Sequence, residues 1–385
     1  FKWLPKIFTV VSLGLFIALS IEMIPWYYLA AWFVIGWTII GRYAKKVNEI
    51  SGYVNEIQST FQQYHLLLGL IENNTFEGEL NRKQQQKIEI EKRKASVVFK
   101  EFSKIIDGLE RKNFMIFGQL ISGFMLWDLW KAYDLEQWIL TYSHHTDNWF
   151  KAIDEFDAYN SLGGFAFNHQ EYTFPKIQQN KVVLKTTEAV HPLINPKDAV
   201  TNDYQIDQQE FFIITGANMA GKSTFLRTVS LQIVMGNVGL PVCAKTCEYS
   251  PIKLITSMRT VDSLADEASY FYSELSRLKF IVDEIKNDEY FIILDEILKG
   301  TNSTDKAIGS RKFVEKLVNS HSTGIIATHD LSLCEVANEL PQVKNHYFDA
   351  EIINDELHFD YQFKDGICQN MNASFLLRKM KIVDN

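Results

Sequence analysis

One stretch constrains this chain more than any other. An apolar run, Glu210-Phe-Phe-Ile-Ile-Thr215, leads straight into Gly216-Ala-Asn-Met-Ala-Gly221-Lys222-Ser223 and on into the helix-forming Thr224-Phe-Leu-Arg-Thr228. Buried strand, glycine loop and helix are the setting in which the G-x-x-x-x-G-K-[ST] pattern has a mechanism. Its glycines let successive backbone N–H groups wrap an anion, and the helix N-terminus adds a favourable dipole. In that geometry Gly216, Asn218, Met219, Ala220, Gly221, Lys222, Ser223 and Thr224 would hold the phosphates of a nucleotide. Lys222 would reach the β- and γ-phosphates and the Ser223 hydroxyl would hold Mg²⁺, so ATP and Mg²⁺ are the implied ligands.

Two more apolar runs complete the pattern. Tyr290-Phe-Ile-Ile-Leu294 ends in Asp295-Glu296, about 70 residues after the glycine loop. Asp295 is expected in the Mg²⁺ shell, and Glu296 is expected to orient or deprotonate an attacking water. Thr323-Gly-Ile-Ile-Ala-Thr328 delivers His329, which could hydrogen-bond the γ-phosphate or that water. His144, His145 and His169 have no comparable context and read as structural. Beyond Lys181 short β-rich runs alternate with helical ones, which predicts an α/β P-loop NTPase (ABC-like) domain with a mostly parallel sheet over 181–385.

The upstream half has a different texture. Val47, Ile50, Val54, Ile57, Phe61, Tyr64 and Leu68 recur at steps of three and four, one stripe on a helix, and helical periodicity returns from Gln84 to Leu109. Residues 43–180 are therefore expected to form an all-α lever or core domain, with Phe114 to Trp130 as a core helix or, less favoured, a membrane span. Ahead of it, Ile7 to Ile21 and Trp26 to Ile40 are uncharged apolar runs of 15 residues each, separated by Glu22 and Pro25. Lys2, Lys6, Arg42, Lys45 and Lys46 flank the outer ends, which predicts a transmembrane hairpin over 1–42 with membrane contact through residues 7–40. The other reading is a pair of core helices whose cover is absent. A first residue of Phe1 instead of Met reads as a fragment.

Composition limits the partners. With 39 Lys and Arg against 47 Asp and Glu, the formal charge is -8, so any nucleic-acid contact needs a local basic patch; Lys92-Arg93-Lys94 is the candidate. Four cysteines are too few for a disulfide scaffold, and Cys243 with Cys247 lacks the second pair of a zinc site. A reduced, cytoplasmic ATPase anchored to the inner or plasma membrane is expected.

Thr215 to Thr224, with its Asn218-Met219 pair, resembles the phosphate loop of the MutS family of DNA mismatch repair ATPases. Asp295-Glu296-Ile-Leu-Lys-Gly300-Thr301-Asn-Ser303-Thr-Asp305 resembles the family's second motif, and Ala327-Thr328-His329 its switch histidine. Asp262 to Leu275, with Glu274 inside it, is similar to the signature segment, and His191-Pro192 and Asn202 to the entry of the ATPase domain. The resemblance covers Asp157 to Val383 well and the helical middle loosely. It implies a homodimer in which Ser269 acts in trans, on the γ-phosphate held by the partner subunit, and DNA as the working partner.

Departures mark a divergent, membrane-associated relative. Leu298, Asn302 and Glu267 replace a Gly, a Ser and a Gly, and Ala199 stands where the family has an aromatic on adenine. The mismatch-reading wedge has only the accidental counterparts Phe99-Lys-Glu101 and Phe313-Val-Glu315. The expected function is a nucleotide-driven DNA clamp related to mismatch repair. The alternative is a membrane-tethered switch acting on a protein or lipid. A transporter ATPase is disfavoured because Asp262 to Leu275 stands in place of a Leu-Ser-Gly-Gly-Gln signature.

Overall fold

The computed structural model describes residues 3–89, 93–110, 117–258, 270–298, 303–353 and 356–369. The chain divides into two compact units, Phe1–Ser161 and Leu162–Asn385.

The first unit is helical: α1 (Leu4–Ser20), α2 (Trp26–Asn73), α3 (Glu79–Lys87), α4 (Ala95–Glu110), α5 (Phe117–Met125) and most of α6 (Trp127–Asn168). α2 runs for 48 residues and passes through 42 and 43 without a break. Its described stripe residues Phe61, Tyr64 and Leu68 meet Val98, Phe99 and Phe102 of α4 and Trp138, Trp149 and Phe156 of α6 in one core. The Trp138 indole N–H donates to the Val98 carbonyl at 3.0 Å, so this large side chain is buried with its polar atom satisfied. Val47, Ile50, Val54 and Ile57 have side chains outside the described residues.

The expected transmembrane hairpin is corrected here: among the described residues no helix is long and apolar enough to cross a membrane. α1 has 17 residues, about 25 Å of helix against the ~20 residues a bilayer core requires. The start of α2 dilutes its aliphatics with Trp26, Tyr27, Tyr28, Gly36 and Thr38 before it reaches Arg42. The two helices do form a hairpin, turning at Glu22 with φ 60°. Phe8 stacks on Trp32 with centroids 4.3 Å apart, and Ser12 accepts from the Trp32 indole at 2.9 Å while donating to the Phe124 carbonyl of α5. Of the stretch from Phe114 to Trp130, the described part, 117–130, is two helices, α5 and the start of α6, because Leu126 adopts φ 50° and interrupts the run.

The second unit is α/β. Its strands are β1 (Lys176–Ile177), β2 (Val182–Ala189), β3 (Asn202–Asp207), β4 (Phe211–Gly216), β5 (Thr246–Tyr249), β6 (Lys253–Ser257), β7 (Tyr290–Asp295), β8 (Thr323–Ala327), β9 (Val343–Phe348), β10 (Ala350–Ile353), β11 (Glu356–Phe359) and β12 (Lys364–Asp365). α7 (Lys222–Asn237), α8 (Tyr270–Glu284) and α9 (Ser303–Val318) lie between them, with a 3₁₀ segment at Leu331–Asn338. The main sheet has the order β12-β9-β4-β8-β7-β6, parallel except for β12 at its edge. β4 and β8 are buried throughout, as continuous apolar strands of a parallel sheet covered on both faces should be. A Cβ at Gly324 would come within 2.6 Å of the Ile292 carbonyl, so the close approach of β8 to β7 requires glycine there. A second sheet, β1-β5-β2-β3, and the β10-β11 hairpin complete the unit. Burial pushes the Cys247 thiol up to about 12 and the Cys334 thiol up to about 11, so both stay protonated at neutral pH.

Candidate nucleotide site

The parallel strands β4, β7 and β8 end on the same edge of the sheet, and the three sequence motifs follow from those ends. After β4 the chain turns through Gly216 at φ 145°, Met219 at φ 69° and Gly221 at φ 109° into α7. All three positions favour glycine for backbone reasons alone, and two of them hold it. At Gly216 space demands it as well, since a Cβ would lie 2.4 Å from the Phe348 carbonyl.

Lys222 is 6% exposed, and its ammonium donates to the carbonyls of Gly216 at 2.7 Å and Ala217 at 2.9 Å. Burial lowers its pKa from the ordinary lysine value, and the nearby Glu296 and Asp295 oppose that shift. The Ser223 hydroxyl donates to Asp295 Oδ2 at 2.8 Å, which joins the helix start to the end of β7. His329, just past β8, places Nε2 2.9 Å from Glu296 Oε1. Lys222, Ser223, Asp295, Glu296 and His329 are thus assembled on one edge. Ala220 is buried, while Asn218, Met219 and Thr224 are exposed at the loop surface. Ser269 lies outside the described residues, as do Glu267 and Asn302.

Beside the loop is a cavity of about 280 Å³ lined by residues that include His191, Asn202, Tyr204, Thr224, Phe348 and Tyr361. The Tyr361 ring stands close to Gly221, within 3.3 Å of where a Cβ would be. The Asn202 amide donates to the Tyr361 carbonyl at 3.0 Å and its oxygen accepts the Phe363 N–H at 2.6 Å, which fixes this C-terminal segment against β3. Burial, helped by Arg227, lowers the His191 pKa and keeps the imidazole neutral. Ala199 leaves its position without an aromatic, but the fold brings Tyr361 to the cavity that its neighbours Asp198 and Val200 line. No local signal in the sequence pairs positions so far apart; only the polar capacity of Asn202 hints at a partner.

The candidate basic arm is mostly engaged inside the first unit. Arg93 pairs with Glu101 and donates to the Tyr142 hydroxyl at 3.0 Å, and Lys94 donates to Asn73 Oδ1 at 2.6 Å. Lys92 lies outside the described residues.

Residues 212–381 match the family model described as MutS domain V. The DNA mismatch repair protein MutS of Staphylococcus haemolyticus (strain JCSC1435) is 31% identical over 252 residues, 61% of this chain and 28% of that protein. MutS of Staphylococcus aureus (strain MRSA252) is 29% identical over 258 residues, 65% of this chain and 29% of that protein. The DNA mismatch repair protein MSH4 of Arabidopsis thaliana is 29% identical over 194 residues, 49% of this chain and 24% of that protein. The chain spans under a third of the length of these curated relatives. Over residues 212–381 the chain is thus similar to MutS domain V, and it aligns with MutS proteins at 29–31% identity over a larger part of its length.

Proposed function

We propose that this chain is a MutS-type ATPase whose nucleotide cycle drives a dimeric clamp on DNA. The observation that carries the reading is the convergence of Lys222, Ser223, Asp295, Glu296 and His329 at one sheet edge, behind a glycine loop. The donor set fits Mg²⁺: a hydroxyl and a carboxylate already 2.8 Å apart, both hard oxygen ligands of the kind that leave room for phosphate and water. When bound there, the metal would neutralise charge on the phosphates. Lys222 would exchange its loop carbonyls for phosphate oxygens, and the backbone N–H groups of 216–223 would bind and orient them. Glu296 would take a proton from the attacking water, and His329 would hold the Glu296 carboxylate in place. Tyr361 and His191 would offer flat surfaces to the base.

Dimerisation follows from the family likeness of the segment containing Ser269, and DNA from the names of the relatives. Duplex, mismatched or branched DNA is expected to raise the ATPase rate. Its affinity is expected to fall steeply between low and moderate salt, because phosphate contacts release counterions. A rate indifferent to all three DNAs, with binding insensitive to salt, would remove DNA from the proposal.

A second reading, a tether to a membrane surface without a spanning helix, is favoured by the hairpin's surface. Trp3, Val10, Leu13, Trp26 and Val34 are 62–72% exposed, a density of large apolar side chains that marks interaction surfaces. Lys6 and Arg42 flank that surface in the sequence and would meet anionic headgroups, leaving the ATPase unit on the cytoplasmic face. The full chain is then expected to float with anionic liposomes; a monodisperse chain that stays at the bottom of the gradient returns the hairpin to the role of a core element.

A further inference from the structure

The segment 296–298, which carries Glu296, has an improbable backbone. Glu296 and Leu298 both adopt φ 57°, a region that non-glycine residues enter only when their surroundings hold them there. Two backbone N–H groups are held on either side of the buried Ile297. The Glu296 N–H donates to the Ala327 carbonyl of β8 at 2.9 Å. The Leu298 N–H donates at 2.6 Å to Oε1 of Glu274, a side chain of α8.

Glu274 is only 5% exposed. It lies on the same helix face as Leu278, Ile281 and Ile285, which pack in one core with Ile297 and Leu298. A carboxylate in such company is costly unless it accepts strong hydrogen bonds, and a bond from a backbone N–H to a charged acceptor is among the stronger kinds. An apolar residue at 274 would continue the stripe. What Glu supplies and an aliphatic side chain does not is an acceptor aimed at the Leu298 amide.

We infer that Glu274 is a positioning residue: through the Leu298 N–H it fixes the strained 296–298 turn and thereby the Glu296 carboxylate. The inference rests on the ATPase reading of the site. α8 begins at Tyr270, directly after Ser269, so the contact also links the chain segment assigned to the partner subunit's nucleotide to the base in this subunit. Motion at the start of α8 would then be felt by Glu296 without any change in how phosphates are bound.

The test compares Glu274→Ala, Glu274→Asp and Glu274→Gln in the full chain. Gln keeps an acceptor at the same reach, whereas Asp keeps the charge but withdraws the acceptor by one methylene. Hydrogen exchange of the nucleotide-free protein reads the Leu298 amide directly. It is expected to accelerate about tenfold or more in the Ala and Asp variants and to stay near wild type in Gln. In steady state, Ala and Asp are expected to lose on the order of 10²-fold in kcat, the scale of a catalytic group displaced by about 1 Å. Affinity for a fluorescent ATP analogue should stay unchanged, and Gln should retain most of the wild-type kcat. If Ala does not fold, the Asp and Gln pair decides alone. Wild-type kcat in the Asp variant, or an equal loss of kcat and nucleotide affinity in Asp and Gln, would overturn the inference. A wild-type chain with no ATP turnover would instead sink the reading of the site beneath it.

Discussion

Lys222→Ala is expected to weaken nucleotide binding on the order of 10²-fold. The substitution removes the single ammonium that the loop places behind Gly216 and Ala217. A hydrogen bond to a charged group contributes up to about 3 kcal/mol, on the order of 10²-fold in Kd. The fold is expected to survive. Burial already lowers the Lys222 pKa, so the folded protein holds this cation at some cost, and alanine removes the cost together with the charge. Titration with a fluorescent ATP analogue, beside a thermal melt, separates the two effects. Tight binding by the variant would mean that the loop does not cradle phosphates. The same variant also tests the proposed dimer: if Ser269 acts in trans, mixing Lys222→Ala with Ser269→Ala is expected to restore part of the activity that each would lack alone, because one of the two proposed shared sites would then be intact.

Glu296→Gln is expected to behave in the opposite way, binding ATP as wild type does and turning it over at least about 10²-fold more slowly, the usual scale for losing a general base. Gln keeps the size of the side chain and an oxygen that can face His329 Nε2, now 2.9 Å from Glu296 Oε1. The loss is therefore of proton acceptance, not of shape. A single-turnover measurement on preloaded protein reads the chemical step without the complication of product release. Wild-type rates there would show that another group takes the proton, and His329 would be the first to examine.

The site was legible in the sequence to the extent that its parts are local. A strand, a loop and a helix start occupy consecutive residues, so Gly216 to Ser223 carries its own geometry. The Ser223–Asp295 contact spans elements far apart, yet the expected Mg²⁺ chemistry foretells it, because a hydroxyl and a carboxylate that were to share one cation would have to lie close. Glu274 was legible only as a member of the signature-like segment, and Tyr361 not at all; the contacts they make were not legible. Each works through a backbone contact, Leu298 N–H in one case and the Asn202 clamp in the other, and backbone partners leave no trace in side-chain spacing. The helical unit misled in a different way. Apolarity without charge fits a bilayer and a helix packed against neighbours equally well, and only the length of α1 and the ring and hydroxyl contacts among α1, α2 and α5 tell them apart. The interruption at Leu126 falls on a residue that favours helix, and sequence propensity is blind to a φ of 50° there.

The order of strands in the main sheet has a consequence for synthesis. β4, which launches the glycine loop, pairs on one side with β8 and on the other with β9, both encoded much later in the chain. A ribosome that has released β4 and α7 has produced the sequence of the loop but neither neighbour of its strand. Long-range parallel pairing is slow to form, and an unpaired apolar strand is prone to aggregate meanwhile. The nascent second unit therefore has an interval with an unpaired apolar strand that ends only when Val343 to Phe348 emerges, and chaperone demand should be concentrated there.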